Sequence, residues 1–210
     1  MKTLTITNVC KTLKGREVLK DVNLSFESGN IYGFQGKNGS GKTMLFRAIS
    51  GLVRIDSGEI NVFGKRIGKD VSFPESLGLT IENVGLWKQF TGAECLETLR
   101  RVKNKAPKTC VSEALTRVGL EPDDKRKYSA YSLGMKQKLA IAQAIMERPD
   151  LLILDEPGNG LDEAAAERLY NIISEEKQRG ALVLISSHDG DFLQGLCDLT
   201  IKIADGKICA

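Results

Sequence analysis

Eight consecutive residues, Gly36-Lys37-Asn38-Gly39-Ser40-Gly41-Lys42-Thr43, have the types and spacing that a bound triphosphate needs. Phosphate oxygens call for a ring of backbone N–H donors. A turn tight enough to converge them requires glycine where a Cβ would intrude or φ is positive. A helix beginning near Lys42 adds its positive end. Lys42 can neutralise charge on the β- and γ-phosphates, and the Thr43 hydroxyl can take a place on Mg²⁺. A second constellation is Asp155-Glu156, directly after Leu151-Leu152-Ile153-Leu154. Adjacent acids at the end of a buried strand are costly unless a cation sits there. Asp155 suits Mg²⁺, directly or through water, and Glu156 suits polarising an attacking water. The single histidine, His188, follows Leu182-Val183-Leu184-Ile185-Ser186-Ser187. At such a strand end it can donate to a γ-phosphate or orient the water, and its ordinary pKa permits proton handling.

The flanking pattern supplies the elements that must carry these groups. Thr3 to Val9 alternates as a strand does, and Val18 to Phe26 and Ile31 to Phe34 read as two more. A helix is expected from Lys42 to Ser50, stopped by Gly51, and a strand at Ile60–Phe63. Thr91-Gly92-Ala93-Glu94 is a capping box and predicts a helix to about Val102. Further helices are predicted from Lys108 to Val118, from Ser132 to Pro149, and from Glu163 to Gln178. Leu151–Leu154 and Leu182–Ile185 are apolar at every position, as in a sheet covered on both faces. Asp205-Gly206 signals a hairpin. Strands alternating with helices predict an α/β fold with a mostly parallel sheet, in which ligands bind at the carboxyl ends of the strands. From about residue 84 to 148 strand signals disappear, which predicts a helical subdomain inserted into one α/β domain formed by 1–83 and 149–210.

Composition bounds the setting. The chain has 210 residues, 41% hydrophobic and 27% charged, which excludes disordered and collagen-like classes. A net charge of +3 is too small to make nucleic acid the expected partner. The five cysteines (Cys10, Cys95, Cys110, Cys197, Cys209) have neither zinc-ligand nor C-x-x-C spacing, so a reducing compartment fits best. The first residues lack the apolar core of a signal peptide, and runs such as Ala181–Ile185 are far too short to span a membrane. A cytoplasmic location is expected.

Tyr131-Ser132-Leu133-Gly134-Met135-Lys136-Gln137 opens a helix about 20 residues before Asp155-Glu156. This segment resembles the signature of ATP-binding cassette (ABC) ATPases, commonly Leu-Ser-Gly-Gly-Gln. Ser132 and Gly134 keep the Ser and the second Gly, while Tyr131, Leu133 and Met135 depart from it. The order of phosphate loop, signature, acidic strand and histidine is similar to that family along nearly the whole chain, and Gly160-Leu161-Asp162 matches its loop after the acidic strand. The resemblance implies a P-loop NTPase core, an antiparallel β-subdomain and the helical insertion. It implies a Mg-dependent ATPase that pairs head to tail with a second ABC ATPase subunit, each ATP lying between one phosphate loop and the partner's Ser132 and Gly134. ATP and Mg²⁺ are the implied cofactors. The nucleotide contacts it implies are Gly36, Lys37, Asn38, Gly39, Ser40, Gly41, Lys42, Thr43, Met44 and Asp162; for the base they are Leu13, where the family has an aromatic, and Val18. Thr43, Asp155 and Glu82 (at the place of a family Gln) are the implied metal ligands.

The same resemblance implies a membrane permease partner, with the protein held at the inner face of the cell membrane. Glu82 together with the departures in the signature looks like bacterial cassettes that export antibiotics or bacteriocin-type peptides or give immunity to them. Leu86, Trp87 and Phe90 are the expected docking residues. From Arg100 to Lys138 there are eleven basic residues against four acidic ones, which reads as a solvated face or one near anionic lipid. The alternative function is a soluble ABC-type ATPase in DNA repair, translation or cluster assembly.

Overall fold

Alternation of buried Leu4, Ile6 and Val9 with exposed neighbours makes the first segment a strand with one face on a core. The computed structural model describes residues 2–81, 85–104 and 106–209. In chain order it forms β1 (Thr3–Leu13), β2 (Arg16–Glu27), β3 (Ile31–Gln35), α1 (Lys42–Ile49), β4 (Ser57–Val62), β5 (Lys65–Arg66) and β6 (Leu77–Thr80). There follow α2 (Gly92–Lys103), α3 (Thr109–Arg117), a 3₁₀ turn (Tyr128–Ala130) and α4 (Leu133–Ile145). The chain then continues through β7 (Leu151–Asp155), α5 (Glu163–Gln178), β8 (Leu182–Ser187), α6 (Gly190–Gln194), β9 (Leu199–Ala204) and β10 (Lys207–Cys209).

One sheet is antiparallel, in the order β2-β1-β4-β5. The other runs β10-β9-β3-β8-β7-β6 and is parallel except for the β9–β10 hairpin. Side chains on β7 point alternately into two cores. Leu152 and Leu154 join the one built with α2 to α5; Leu151 and Ile153 join the one that holds α1 and the antiparallel sheet. That two-sided cover is why this strand is apolar throughout. Phe26, Phe34 and Phe46 pack edge to face, with centroids 5.9 and 5.2 Å apart, and pin α1 between the sheets.

Helix α2 starts on the expected capping box: Thr91 Oγ1 accepts from Glu94 N at 3.2 Å, and a Glu94 carboxylate oxygen accepts from Thr91 N at 2.7 Å. Strand β6 is not foreseen, because Leu77-Gly78-Leu79-Thr80 is short and centred on glycine. The glycine has a packing reason. A Cβ at Gly78 would lie 1.9 Å from the Ala144 carbonyl oxygen in α4. Gly78→Ala is therefore expected to destabilise the protein by about 1–3 kcal/mol, through overpacking. Gly195→Ala is the control, since φ there is −84° and the added carbon meets nothing within 4 Å. Denaturant midpoints check both; equal midpoints for the two variants would refute the packing account.

Candidate functional site

The site lies where β3, β7 and β8 end side by side. β3 pairs with β8 and β8 with β7, all parallel, so Gln35, Asp155 and Ser187 reach one sheet edge. Strand order switches direction about β3, which opens a crevice at that edge.

The phosphate loop wraps the start of α1. Gly41 takes the N-cap place with φ 114°, and no side chain caps the helix, so its first N–H groups are free for an anion. Gly39 has φ 79°, and a Cβ at Gly36 would lie 2.4 Å from the Ile203 carbonyl oxygen. Lys42 is 5% exposed; its Nζ donates to the Gly36 carbonyl at 2.6 Å and faces Glu156 Oε1 at 3.4 Å. Thr43 Oγ1 donates to Asp155 Oδ2 at 2.6 Å. Ser186 Oγ donates to Asp155 Oδ1 and accepts from Glu156 N. Glu156 Oε2 meets His188 Nδ1 at 2.8 Å and His188 N at 3.3 Å. A pocket of about 300 Å³ is lined by Val18, Asn38 to Met44, Arg47 and Glu156. It continues the loop, and a larger groove beside it takes in Lys37, His188 and Lys202.

These groups fit a magnesium triphosphate. The oxygens of Thr43 and Asp155 already adjoin, as a hard cation requires. Among the described residues no group of three or more His, Cys, Asp or Glu is placed to hold a metal, and phosphate and water oxygens suit the remaining places of the shell. Ser40 Oγ and Glu156 Oε1 are buried without a hydrogen-bond partner at the same place.

The structure divides the remaining expected residues. Val18 and Met44 line the pocket. Leu13 does not; it sits 39% exposed at the β1–β2 hairpin, paired with Arg16. Glu82 lies outside the described residues. Ser132 caps α4, accepting from Met135 N at 3.2 Å, and Asp162 caps α5, accepting from Ala165 N at 2.8 Å. Neither Ser132 nor Gly134 lines the pocket at the phosphate loop. Gly134 abuts the loop after Glu156 instead. A Cβ at Gly134 would lie 2.9 Å from the Gly160 carbonyl, and Gln137 Nε2 donates to the Pro157 carbonyl at 3.1 Å.

Tyr131, which departs from the family signature, is a core residue here and packs its ring 6.1 Å from that of Tyr128. Gly92 makes room for its hydroxyl. Leu86 and Phe90 prove half-buried against the helices rather than exposed, which leaves Trp87 outermost. Six of the eleven basic residues of the stretch have acidic partners. Arg100 and Arg101 pair with Glu97, Lys103 with Glu147, Arg117 with Glu175 and Glu176, Arg126 with Asp124, and Lys127 with Glu94. Those acids come partly from outside the segment, which a count along the chain cannot register.

Two residues of the site escaped the sequence reading. Arg47 lies four residues after Thr43, on the same face of α1, and helical spacing alone signals it. Ser186 is the first polar residue after four apolar ones, a weaker signal.

A parallel sheet with an uncapped glycine loop at its switch point, a hydrogen-bonded Thr–Asp pair beside it and a carboxylate held by histidine defines a phosphate-loop nucleoside triphosphatase. The sequence profile of the ABC transporter family matches residues 19–159. An uncharacterised ABC transporter ATP-binding protein of Bacillus subtilis, YybJ, is 43% identical over 97% of this chain and 93% of its own. The lantibiotic transport ATP-binding protein SrtF of Streptococcus pyogenes is 35% identical over 98% of this chain and 88% of its own. A solved ATP-binding subunit of an ABC transporter superposes with a TM-score of 0.89 at 27% identity, over 99% of this chain and 88% of that one. The chain belongs to the ABC transporter family, as an ATP-binding subunit that hydrolyses ATP to power transport. No helix among the described residues is long and apolar enough to cross a membrane.

Proposed function

We propose that two cassettes close head to tail on ATP, each completing the other's site. The observation that carries this reading is the separation of the two anion-receptive places in one chain. The phosphate loop has a pocket; Ser132 and the start of α4 do not share it. Residues 1–83 and 149–210 form the ATP-binding core and about 84–148 the helical signature subdomain. Lys42 releases Gly36 and Glu156 to meet phosphate oxygens, a stronger charge-assisted partner. Thr43 and Asp155 would hold Mg²⁺, with Glu82 as a further ligand, and the ion would supply charge neutralisation for the phosphates. Val18 contacts the base, and Leu13, outside the pocket, leaves that contact without the family's aromatic. Ser132, Gly134 and Asp162 approach the nucleotide on the partner's loop.

Glu156 accepts the proton of the attacking water as its oxygen bonds to the γ-phosphorus. The β–γ bridging P–O bond breaks, giving ADP and inorganic phosphate. His188 holds the Glu156 carboxylate on the side away from Lys42.

The partner beyond the second cassette is a permease whose spanning helices lie on another chain. It docks near Trp87 and keeps this protein at the inner face of the cell membrane. Peptide antibiotics are the cargo class, supported by the likeness to the lantibiotic transport protein. Mild solubilisation and isolation of the tagged chain from its own cells, followed by mass spectrometry, is expected to recover a polytopic membrane protein in fixed ratio. Recovery of soluble partners or nucleic acid alone would replace this reading with that of a soluble ABC-type ATPase.

A further inference from the structure

We propose that Ser186 is a positioning residue for the metal-binding carboxylate and for the backbone that carries the catalytic one. It is fully buried and lies opposite Asp155 in the β7–β8 register. An ionised carboxylate cannot donate, so the Ser186 hydroxyl must donate to Asp155 Oδ1. That bond commits one oxygen of Asp155 and leaves Oδ2 facing Thr43. The same hydroxyl accepts from Glu156 N at 3.0 Å. Glu156 stands at φ 48°, in the left-handed region, where β7 ends. Its N–H is thus met by a side chain at the point where the chain turns. One hydroxyl therefore sets both the aim of Asp155 and the turn that points Glu156 toward His188 and Lys42.

Buried acceptors that lose a donor are costly, and partners of ligating groups typically control metal affinity by about 10- to 100-fold. This inference rests on Asp155 being a metal ligand. The test is a Mn²⁺ titration followed by electron paramagnetic resonance, on the full chain with a saturating non-hydrolysable ATP analogue. Ser186→Ala and Ser186→Val are expected to weaken Mn²⁺ binding ~10-fold, the lower end of that range, with analogue affinity in EDTA within about twofold of the parent. Ser186→Thr, which has the shape of Val but keeps the hydroxyl, is expected to restore it. A Ser186→Ala variant that melts cooperatively and binds Mn²⁺ as the parent does would overturn the inference. Asp155→Asn in the same titration separates the two failures. If it abolishes Mn²⁺ binding while Ser186→Ala changes nothing, only the role of Ser186 falls. If it too binds Mn²⁺ normally, the metal site itself is misplaced.

Discussion

Glu156→Gln is expected to lower ATP turnover by about 10²- to 10⁴-fold, the usual contribution of a positioned general base. That is roughly 3–5 kcal/mol of transition-state stabilisation. The substitution keeps the shape and the hydrogen-bonding reach of the side chain, so His188 retains a partner at the position now 2.8 Å from its Nδ1. What is lost is the capacity to take a proton. It also removes the negative charge 3.4 Å from Lys42, which favours the move of that ammonium to phosphate. ATP should therefore bind at least as well while hydrolysis stalls. If two chains close on ATP as proposed, stalled protein should accumulate as an ATP-bound dimer. Size-exclusion chromatography with Mg²⁺ and ATP, beside a steady-state phosphate-release assay, checks both halves. Turnover at the parent's rate would remove Glu156 from the role of base. Stalled turnover without a dimer would leave the chemistry standing and overturn the head-to-tail closure.

Lys42→Ala is expected to cost about 10- to 100-fold in nucleotide affinity, with turnover falling further. Hydrogen bonds to charged groups contribute about 1.5–3 kcal/mol, and each 1.4 kcal/mol is tenfold in binding. Lys42 is 5% exposed and its ammonium is pre-placed among loop carbonyls and Glu156, so little water has to be shed when phosphate replaces them. The loop itself is held by backbone geometry at Gly36, Gly39 and Gly41, not by this side chain, and it should survive the substitution. Calorimetric titration with a non-hydrolysable ATP analogue reads the loss, and thermal unfolding reads whether the fold is intact. A folded variant with unchanged affinity would sink the phosphate-loop assignment.

The sequence by itself determined the phosphate loop, the acidic pair after β7 and most of the scaffold. Glycine spacing around Lys42-Thr43 is legible because only glycine tolerates such a turn. Asp155-Glu156 is legible because a fully apolar strand makes the acids after it conspicuous. Helices α2 and α4 announce themselves through cap residues at Thr91 and Ser132, whose side chains accept from the backbone three residues on. These are local rules, acting within a few residues.

Only the tertiary structure decided what depends on distance in sequence. β6 exists because Gly78 lets α4 approach it, and nothing near Gly78 in the chain says so. Leu86 and Phe90 turn inward against helices that begin after them. Arg117 meets its acids at Glu175 and Glu176, 58 and 59 residues further along the chain. Ser186 reaches Asp155 across 31 residues because β7 and β8 pair in register. Local propensity and spacing name the groups that can do chemistry. Strand pairing and packing, which no short window contains, decide which of them share a site.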